Sequence, residues 1–383
     1  MTKKILKFPK GFYWGTATSA YQVEGGIKND WSEKGGKYDA GRACDHYNRF
    51  EEDFDLANGM NNNAHRFSIS WARIEPEEGK FDQKEIEHYR KVIKALKDRG
   101  LEPFVTIWHW PLPVWLAKKG GWLNKKSSDY FERFIEKIVG EYKDLVKFWI
   151  VINEPNVYIS HSFTIGQWPP FIKGWFRAQK ILRRLIESYK KSYEIIHKIS
   201  PNSQVGIAKH YSYFKGILSL FYNNYYWNYK FLDAIKNYQD FIGLNFYQSY
   251  SIKGYLKDSP KSVSDLGWGI YPKGIYHALK YLKNRYNKPI YITENGIADA
   301  EDKKRAKFII DYLVWTYKAI EEGVDVRGYF YWSLLDNYEW ARYDKGFGPR
   351  FGLVEVDYKT LERKPRPSSK IYAEICKNNA IKI

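Results

Sequence analysis

Apolar, β-branched and aromatic runs recur along the chain, each closed by turn-forming residues: Phe12–Ala20, Ala64–Ser70, Glu102–Trp108, Phe148–Glu154, Gln204–His210, Phe241–Tyr247, Pro289–Asn295 and Val326–Leu334. Runs of this length and composition predict strands. Between them the apolar positions switch to helical spacing, over Gln83–Arg99, Ser127–Tyr142, Gln179–Ile199, Lys273–Tyr286 and Asp302–Glu322. Asp82 and Ser127 stand where N-caps are wanted, and Gly100 and Gly323 stand just past helical runs, where a left-handed residue ends a helix. Strands with so little polarity must be covered on both faces, which argues for a parallel sheet wrapped by helices. Eight such units predict an α/β fold, a closed (β/α)8 TIM barrel. No Pro/Gly/Ser-rich linker or short-period repeat divides the chain, so residues 1–383 read as a single domain.

Polar residues gather at one end of these strands: Ser68 and Ser70, His109, Asn153 and Glu154, His210, Asn245 and Tyr247, Glu294 and Asn295, and Ser333. In a barrel that end carries the active site, because the βα loops converge there over a packed interior.

Composition narrows the alternatives. Hydrophobic residues make up 44% and charged residues 28% of 383 residues, which excludes global disorder. No long apolar stretch suits a membrane span, and Ile5, Leu6, Lys7, Phe8 is too short for a signal peptide's apolar region, so a soluble cytoplasmic protein is expected. Cys44 and Cys376 lie near opposite ends of the chain and outside any metal-ligand spacing, so free thiols are expected. The net charge of +18 and the 18% aromatic content keep a single-stranded nucleic-acid binder in view, since bases stack on rings while cations hold phosphates. Solvated lysine faces and buried or sugar-stacking rings are the simpler account, so no nucleic-acid partner is expected.

Two glutamates carry the chemistry. Glu154 ends the fourth strand in Trp149-Ile-Val-Ile-Asn-Glu-Pro155, and Glu294 ends the seventh in Ile290-Tyr-Ile-Thr-Glu-Asn-Gly296. Carboxyls on opposite walls of one barrel mouth are the pair that glycoside hydrolysis needs, one to protonate the leaving oxygen and one to face the anomeric carbon. Either glutamate alone would more simply pair with an arginine or cap a loop.

With these motifs in place the chain resembles glycoside hydrolase family 1, the β-glucosidase and β-glycosidase family, from end to end. The resemblance rests on Phe12-Tyr-Trp-Gly through Gln22-Val-Glu-Gly25, His65-Arg-Phe-Ser-Ile-Ser-Trp71, His109-Trp110 with Pro113, Asn153-Glu154-Pro155, Asn245-Phe-Tyr247, Thr293-Glu-Asn-Gly296, Tyr331-Trp332 through Glu339-Trp340, and Arg350-Phe-Gly-Leu353. It implies Glu154 as acid/base and Glu294 as nucleophile of a retaining mechanism without metal or cofactor. It implies Arg66 and Tyr247 as supports of Glu294, Asn153 as the contact to the sugar 2-hydroxyl, and Asn245 as an aligning residue. Gln22, His109, Glu339 and Trp340 match the family's sugar-binding set, and Trp332 its stacking floor. The implied partner is a small-molecule β-glycoside or oligosaccharide. For the acid/base role, burial and a neighbouring carboxylate are expected to raise Glu154, while Glu294 stays ionised.

A carboxylate at Glu339 would repel a phosphorylated sugar, so plain glycosides are expected; Arg342 and Lys345 stand close enough in sequence to soften that argument. A transglycosylase using the same intermediate and a silent carbohydrate-binding barrel are the alternatives. The chain is short for the family, and its missing residues fall around the fifth and sixth strands, where Tyr211–Phe231 is dense in Tyr, Phe and Trp. Burial is the simplest account of that segment. Trp168, Phe171 and Trp175 are suggested as aglycone contacts, and one of Phe347 and Phe351 as a site-lining ring. Shorter loops also predict a more open mouth.

Overall fold

The eight apolar runs close on themselves. The computed structural model describes residues 4–215, 224–251, 262–340 and 346–383. Its strands are β1 (Tyr13–Ala17), β2 (Ala64–Ser68), β3 (Glu102–Trp108), β4 (Phe148–Asn153), β5 (Gln204–Lys215), β6 (Phe241–Ser251), β7 (Ile290–Asn295) and β8 (Val326–Trp332). Every neighbouring pair is parallel, and β1 pairs with β8 to complete the barrel. Around it lie α1 (His46–Gly59), α2 (Gln83–Asp98), α3 (Ser127–Tyr142), α4 (Trp175–Ile199), α5 (Lys230–Ile235), α6 (Lys273–Tyr286), α7 (Arg305–Glu321) and α8 (Pro367–Asn378). At least one helix thus follows each strand, as the (β/α)8 pattern requires.

The ends of the elements follow local chemistry. The Asp82 side chain accepts from the backbone N–H of Lys84 and Glu85, capping α2 as expected. Ser127 does not cap α3: Lys126 takes that place, and the Ser127 hydroxyl donates to the carbonyls of Gly121 and Asn124. Gly100 and Gly323 adopt φ of +70° and +81°, the left-handed conformation that a Cβ disfavours. The first strand is shorter than its apolar run because Ala20–Val23 turns helical, whereas β5 and β6 run past the barrel as a mutual pair, from Tyr213↔Ser249 to Lys215↔Ser251.

Inside the barrel the side chains are layered. Phe104, Phe148, Phe241, Tyr291 and Phe330 fill the lower end, with Phe104 and Phe148 stacked at 4.1 Å and 6°. Inward positions alternate along each strand, so β6 runs Phe241, Gly243, Asn245, Tyr247 from apolar floor to polar mouth. Apart from the barrel, a strand over Ile5–Lys7 pairs antiparallel with Ala380–Lys382, so that Leu6 meets Ile381.

Of the aromatic-rich stretch 211–231, residues 216–223 lie outside the described part. Tyr211 and Phe231 are buried, as the simpler account expects, while Tyr225 is exposed. Cys44 and Cys376 are buried free thiols. Among the described residues no helix is long and apolar enough to cross a membrane.

Candidate active site

At the polar end of the barrel lies a cavity of about 110 Å³, lined by both glutamates together with Asn153, His109, Tyr247, Trp332, Glu339 and Trp340. Each carboxyl is placed by the residue that ends its strand. Glu154 follows β4 with φ +41°, which turns its side chain away from the strand's alternation, and Pro155 then opens a short helix over Pro155–Ile159. Glu294 is the penultimate residue of β7 and stands level with Asn245 on β6. Gly296 is needed just beyond it: a Cβ there would lie 1.7 Å from the Trp332 carbonyl oxygen.

Arg66 ties the centre together. The buried guanidinium donates Nε to the Thr106 hydroxyl (3.1 Å), Nη1 to the Thr293 carbonyl (3.2 Å) and to Glu294 Oε1, and Nη2 to Asn153 Oδ1 (2.7 Å). The Tyr247 hydroxyl donates to the other Glu294 oxygen, Oε2, at 2.6 Å. Asn245 bridges to the second carboxyl, donating Nδ2 to Glu154 Oε1 (2.8 Å) and Asn153 Oδ1 (3.2 Å) while its own Oδ1 accepts from Thr293. Asn153 donates Nδ2 to His109 Nε2 at 3.1 Å, which leaves the His109 proton on Nδ1, a buried nitrogen with no partner in the protein. Burial, with the Arg66 charge, holds His109 well below the ordinary imidazole value, so the ring is neutral.

The carboxyl electrostatics depart from expectation. Burial raises Glu294 and the Glu154 charge adds to this, outweighing the pull of Arg66 and Tyr247, so that it stands at about 7. Glu154 is also penalised by burial, but the charge and hydrogen bond of His210, with Asn245 and Arg66, bring it below the ordinary value. This order is the reverse of a protonated Glu154 beside an ionised Glu294. The two carboxyls share one buried network, so their protons come off as a pair. The contacts decide where a single proton rests. Arg66 carries a permanent charge and, with Tyr247, puts a donor on each Glu294 oxygen, whereas the charge on His210 is conditional. With His210 neutral, the anion belongs on Glu294 and the proton on Glu154.

The sugar-binding candidates divide. His109 and Trp340 are nearly parallel (5.6 Å, 12°), and Trp332 lies beyond His109 (6.2 Å, 23°). Gln22 does not line the cavity. Its amide is buried and consumed by Ser19, Asn337 and the Tyr338 carbonyl, so it holds the loop that carries Glu339 and Trp340. Of the aromatic candidates, Trp168 and Phe351 line the cavity. Phe171 packs on Tyr38, Trp175 on Tyr226, and Phe347 on Tyr338 and Tyr358, all away from it. Arg342 and Lys345 lie outside the described residues. His210, Trp110, Trp227 and Trp268 also line the cavity and were not among the candidates. For His210 the signal was present in its place at a strand end. Among the described residues no cluster of three or more His, Cys, Asp or Glu side chains is arranged to hold a metal ion.

Comparison with known proteins agrees with this geometry. The family model "Glycosyl hydrolase family 1" matches residues 4–217 and 228–381. "Beta-glucosidase A" of Thermotoga maritima is 34% identical over an alignment of 446 residues, covering 98% of this chain and 99% of that protein. The alignment is longer than the 383-residue chain, which is short beside such relatives. Among solved structures, a "beta-glycosidase from Pyrococcus horikoshii" superposes with a TM-score of 0.92 at 40% identity, covering 99% of this chain and 97% of that one. The "Family 1 b-glucosidase from Thermotoga maritima" does so at 0.89 and 32%, covering 98% and 99%. The chain belongs to glycosyl hydrolase family 1.

Proposed function

We propose that the protein is a retaining β-glycosidase, with plain β-glucosides as its main substrates and β-galactosides and β-fucosides as further ones. The observation that carries this reading is the pair of donors, Arg66 and Tyr247, on opposite oxygens of Glu294 in a cavity shared with Glu154. A carboxylate held in this way keeps its charge in a buried site and presents a lone pair to an anomeric carbon. In the first step Glu294 attacks that carbon while Glu154 gives its proton to the glycosidic oxygen. The aglycone leaves and a glycosyl-Glu294 ester remains. In the second step Glu154 takes a proton from water as the water displaces Glu294, restoring both carboxyls with net retention.

The sugar would stack on Trp332 and meet the Nδ1–H of His109, the carboxylate of Glu339 and the ring of Trp340. The second amide hydrogen of Asn153 is free for the 2-hydroxyl, where contacts strengthen as positive charge develops. Gln22 acts on the sugar through the loop it braces. Glu339 in the cavity favours an unphosphorylated glycone. The buried free thiols suit a reducing compartment, on which ground we place the enzyme in the cytoplasm, as a single-domain protein.

The test is initial rates on nitrophenyl β-glycosides, including a 6-phospho-glucoside, with Glu294→Ala as the blank and the first-formed anomer read by NMR. Turnover of the plain glucoside to the β-anomer, lost in Glu294→Ala, is expected. Binding without turnover would favour the silent carbohydrate-binding barrel, and transfer to added sugar in place of hydrolysis would favour the transglycosylase.

A further inference from the structure

Glu154 touches an ionisable side chain that the mechanism above leaves unused. His210 is buried on β5, with Nδ1 3.3 Å from Glu154 Oε1, the oxygen that also accepts from Asn245. Its Nε2 lies 3.1 Å from the Ser212 hydroxyl. The ring is nearly parallel to Tyr247 (6.2 Å, 16°) and meets Trp227 edge-on (5.7 Å, 86°). Its backbone is fixed as well: the His210 carbonyl accepts from Asn156 Nδ2 (3.3 Å) and from Lys209 Nζ (2.6 Å), and Lys209 also donates to the Trp227 carbonyl (2.7 Å). A buried lysine spent on two carbonyls is a costly way to hold one histidine in place, and the place it holds is against Glu154.

We propose that His210 is a positioning residue for Glu154, donating Nδ1–H to Oε1 and favouring the carboxylate that remains once the leaving group has taken the proton. The proposal rests on the glycosidase reading. Through the cycle His210 keeps its protons. The proton given to the glycosidic oxygen comes from Glu154, and the one that returns comes from water. In the neutral ring the Ser212 hydroxyl donates to Nε2, which leaves the only ring proton on Nδ1, facing the carboxyl.

Other charged or titratable groups surround Glu154, and each has other work. Arg66 on β2 is shared between Glu294 and Asn153. Glu294 on β7 repels, and Tyr247 on β6 is spent on Glu294. Lys209, adjacent on β5, is pushed down to about 7 by burial, against the pull of Glu154, and its donors are aimed at carbonyls. His109 on β3 is neutral and bound to Asn153. Glu339 reaches the same cavity from the loop beyond β8 and adds negative charge. His161, also on the cavity wall, stacks on Trp168, which among the described residues leaves His210 as the ionisable donor in contact with Glu154.

The experiment follows the Glu154 carboxyl by ¹³C NMR in glutamate-labelled full-length protein carrying Glu294→Gln, the signal being assigned by its loss in Glu154→Gln. His210→Phe keeps the ring but removes the donor, so the Glu154 titration should move up by about half a pH unit or more. His210→Asn sets an amide N–H near the position of Nδ1 and should bring the titration back toward the original. If His210→Phe fails to fold, His210→Leu removes the donor with less bulk and is held to the same outcome. In the otherwise unaltered enzyme, His210→Phe should shift the alkaline limb of kcat/KM upward on a nitrophenyl glucoside. It should leave that limb in place on a dinitrophenyl glucoside, whose leaving group needs no proton. An unmoved Glu154 titration overturns the proposal. Absence of turnover in the unaltered protein would overturn the glycosidase reading, while the NMR comparison would still decide the role of His210.

Discussion

Arg66 shows how much one side chain carries here. Four of its hydrogen bonds reach β3, β4 and β7, so it braces the barrel wall and fixes the charge of Glu294 together. Arg66→Met removes what is, among the described residues, the only fixed cation bonded to that carboxyl. Burial already pushes Glu294 upward, and without that partner it should rise further, leaving less of the nucleophile at neutral pH. We expect kcat/KM at pH 7 to fall by about 10²-fold or more, with the activity maximum displaced to higher pH. Unfolding in urea should show a loss of about 3–5 kcal/mol, because a buried carboxylate loses its partner. Wild-type activity at pH 7 in the variant would refute this account. Both glutamates and Tyr247 were named by their place at strand ends and by the motifs that resemble the family's, and Arg66 by such a motif alone. The sequence could not show that the Gln22 amide bonds Asn337 and the Tyr338 carbonyl, since those partners lie far away in the chain.

At the scale of elements, the contact between β1 and β2 carries a pH dependence of its own. In their register Thr16 stands opposite His65, and the buried imidazole sits between the hydroxyls of Thr16 (3.0 Å) and Thr18 (3.2 Å). Burial, with a smaller push from His46, lowers His65 to about 3. Between its unfolded value of 6.5 and about 3, the unfolded chain therefore holds a proton that the folded one refuses, and stability falls as pH falls through that window. His65→Gln keeps polar partners for both threonines and does not titrate. Its stability should fall less steeply from pH 6.5 toward pH 4, the slopes differing by at most about 1.4 kcal/mol per pH unit. Equal slopes in denaturant titrations would refute the assignment. All eight strands and five of the helices, α2, α3, α4, α6 and α7, were legible in the sequence, the strands because cover on both faces leaves uninterrupted apolar runs. The ends were less so: Ala20–Val23 turns helical where the pattern continues, and β5 and β6 run on past His210 and Tyr247, where the predicted runs stop. Ser127 fails as a cap because its hydroxyl finds carbonyl acceptors in the preceding turn.

For the whole molecule, length is the distinguishing property. One relative aligns over 446 residues where this chain has 383, and all eight barrel strands are present here, so the difference falls on connections rather than on the barrel. If those shortened connections leave the aglycone side open, β-linked glucose oligomers of three and four units should be cleaved with kcat/KM at least equal to that of the dimer. A steady decline with length would overturn the open-mouth expectation. The charge of +18 bears on this site little, because a neutral glycoside is not steered by the field.

The short ladder apart from the barrel fixes where the protein can be held. The Lys4 N–H donates to the Ile383 carbonyl at 2.8 Å and the Ile383 N–H to that of Lys4 at 2.9 Å. A tether attached at residue 4 or at residue 383 therefore leaves from the same spot. Molecules immobilised through either residue would stand in the same orientation, equally open to substrate whichever residue was chosen.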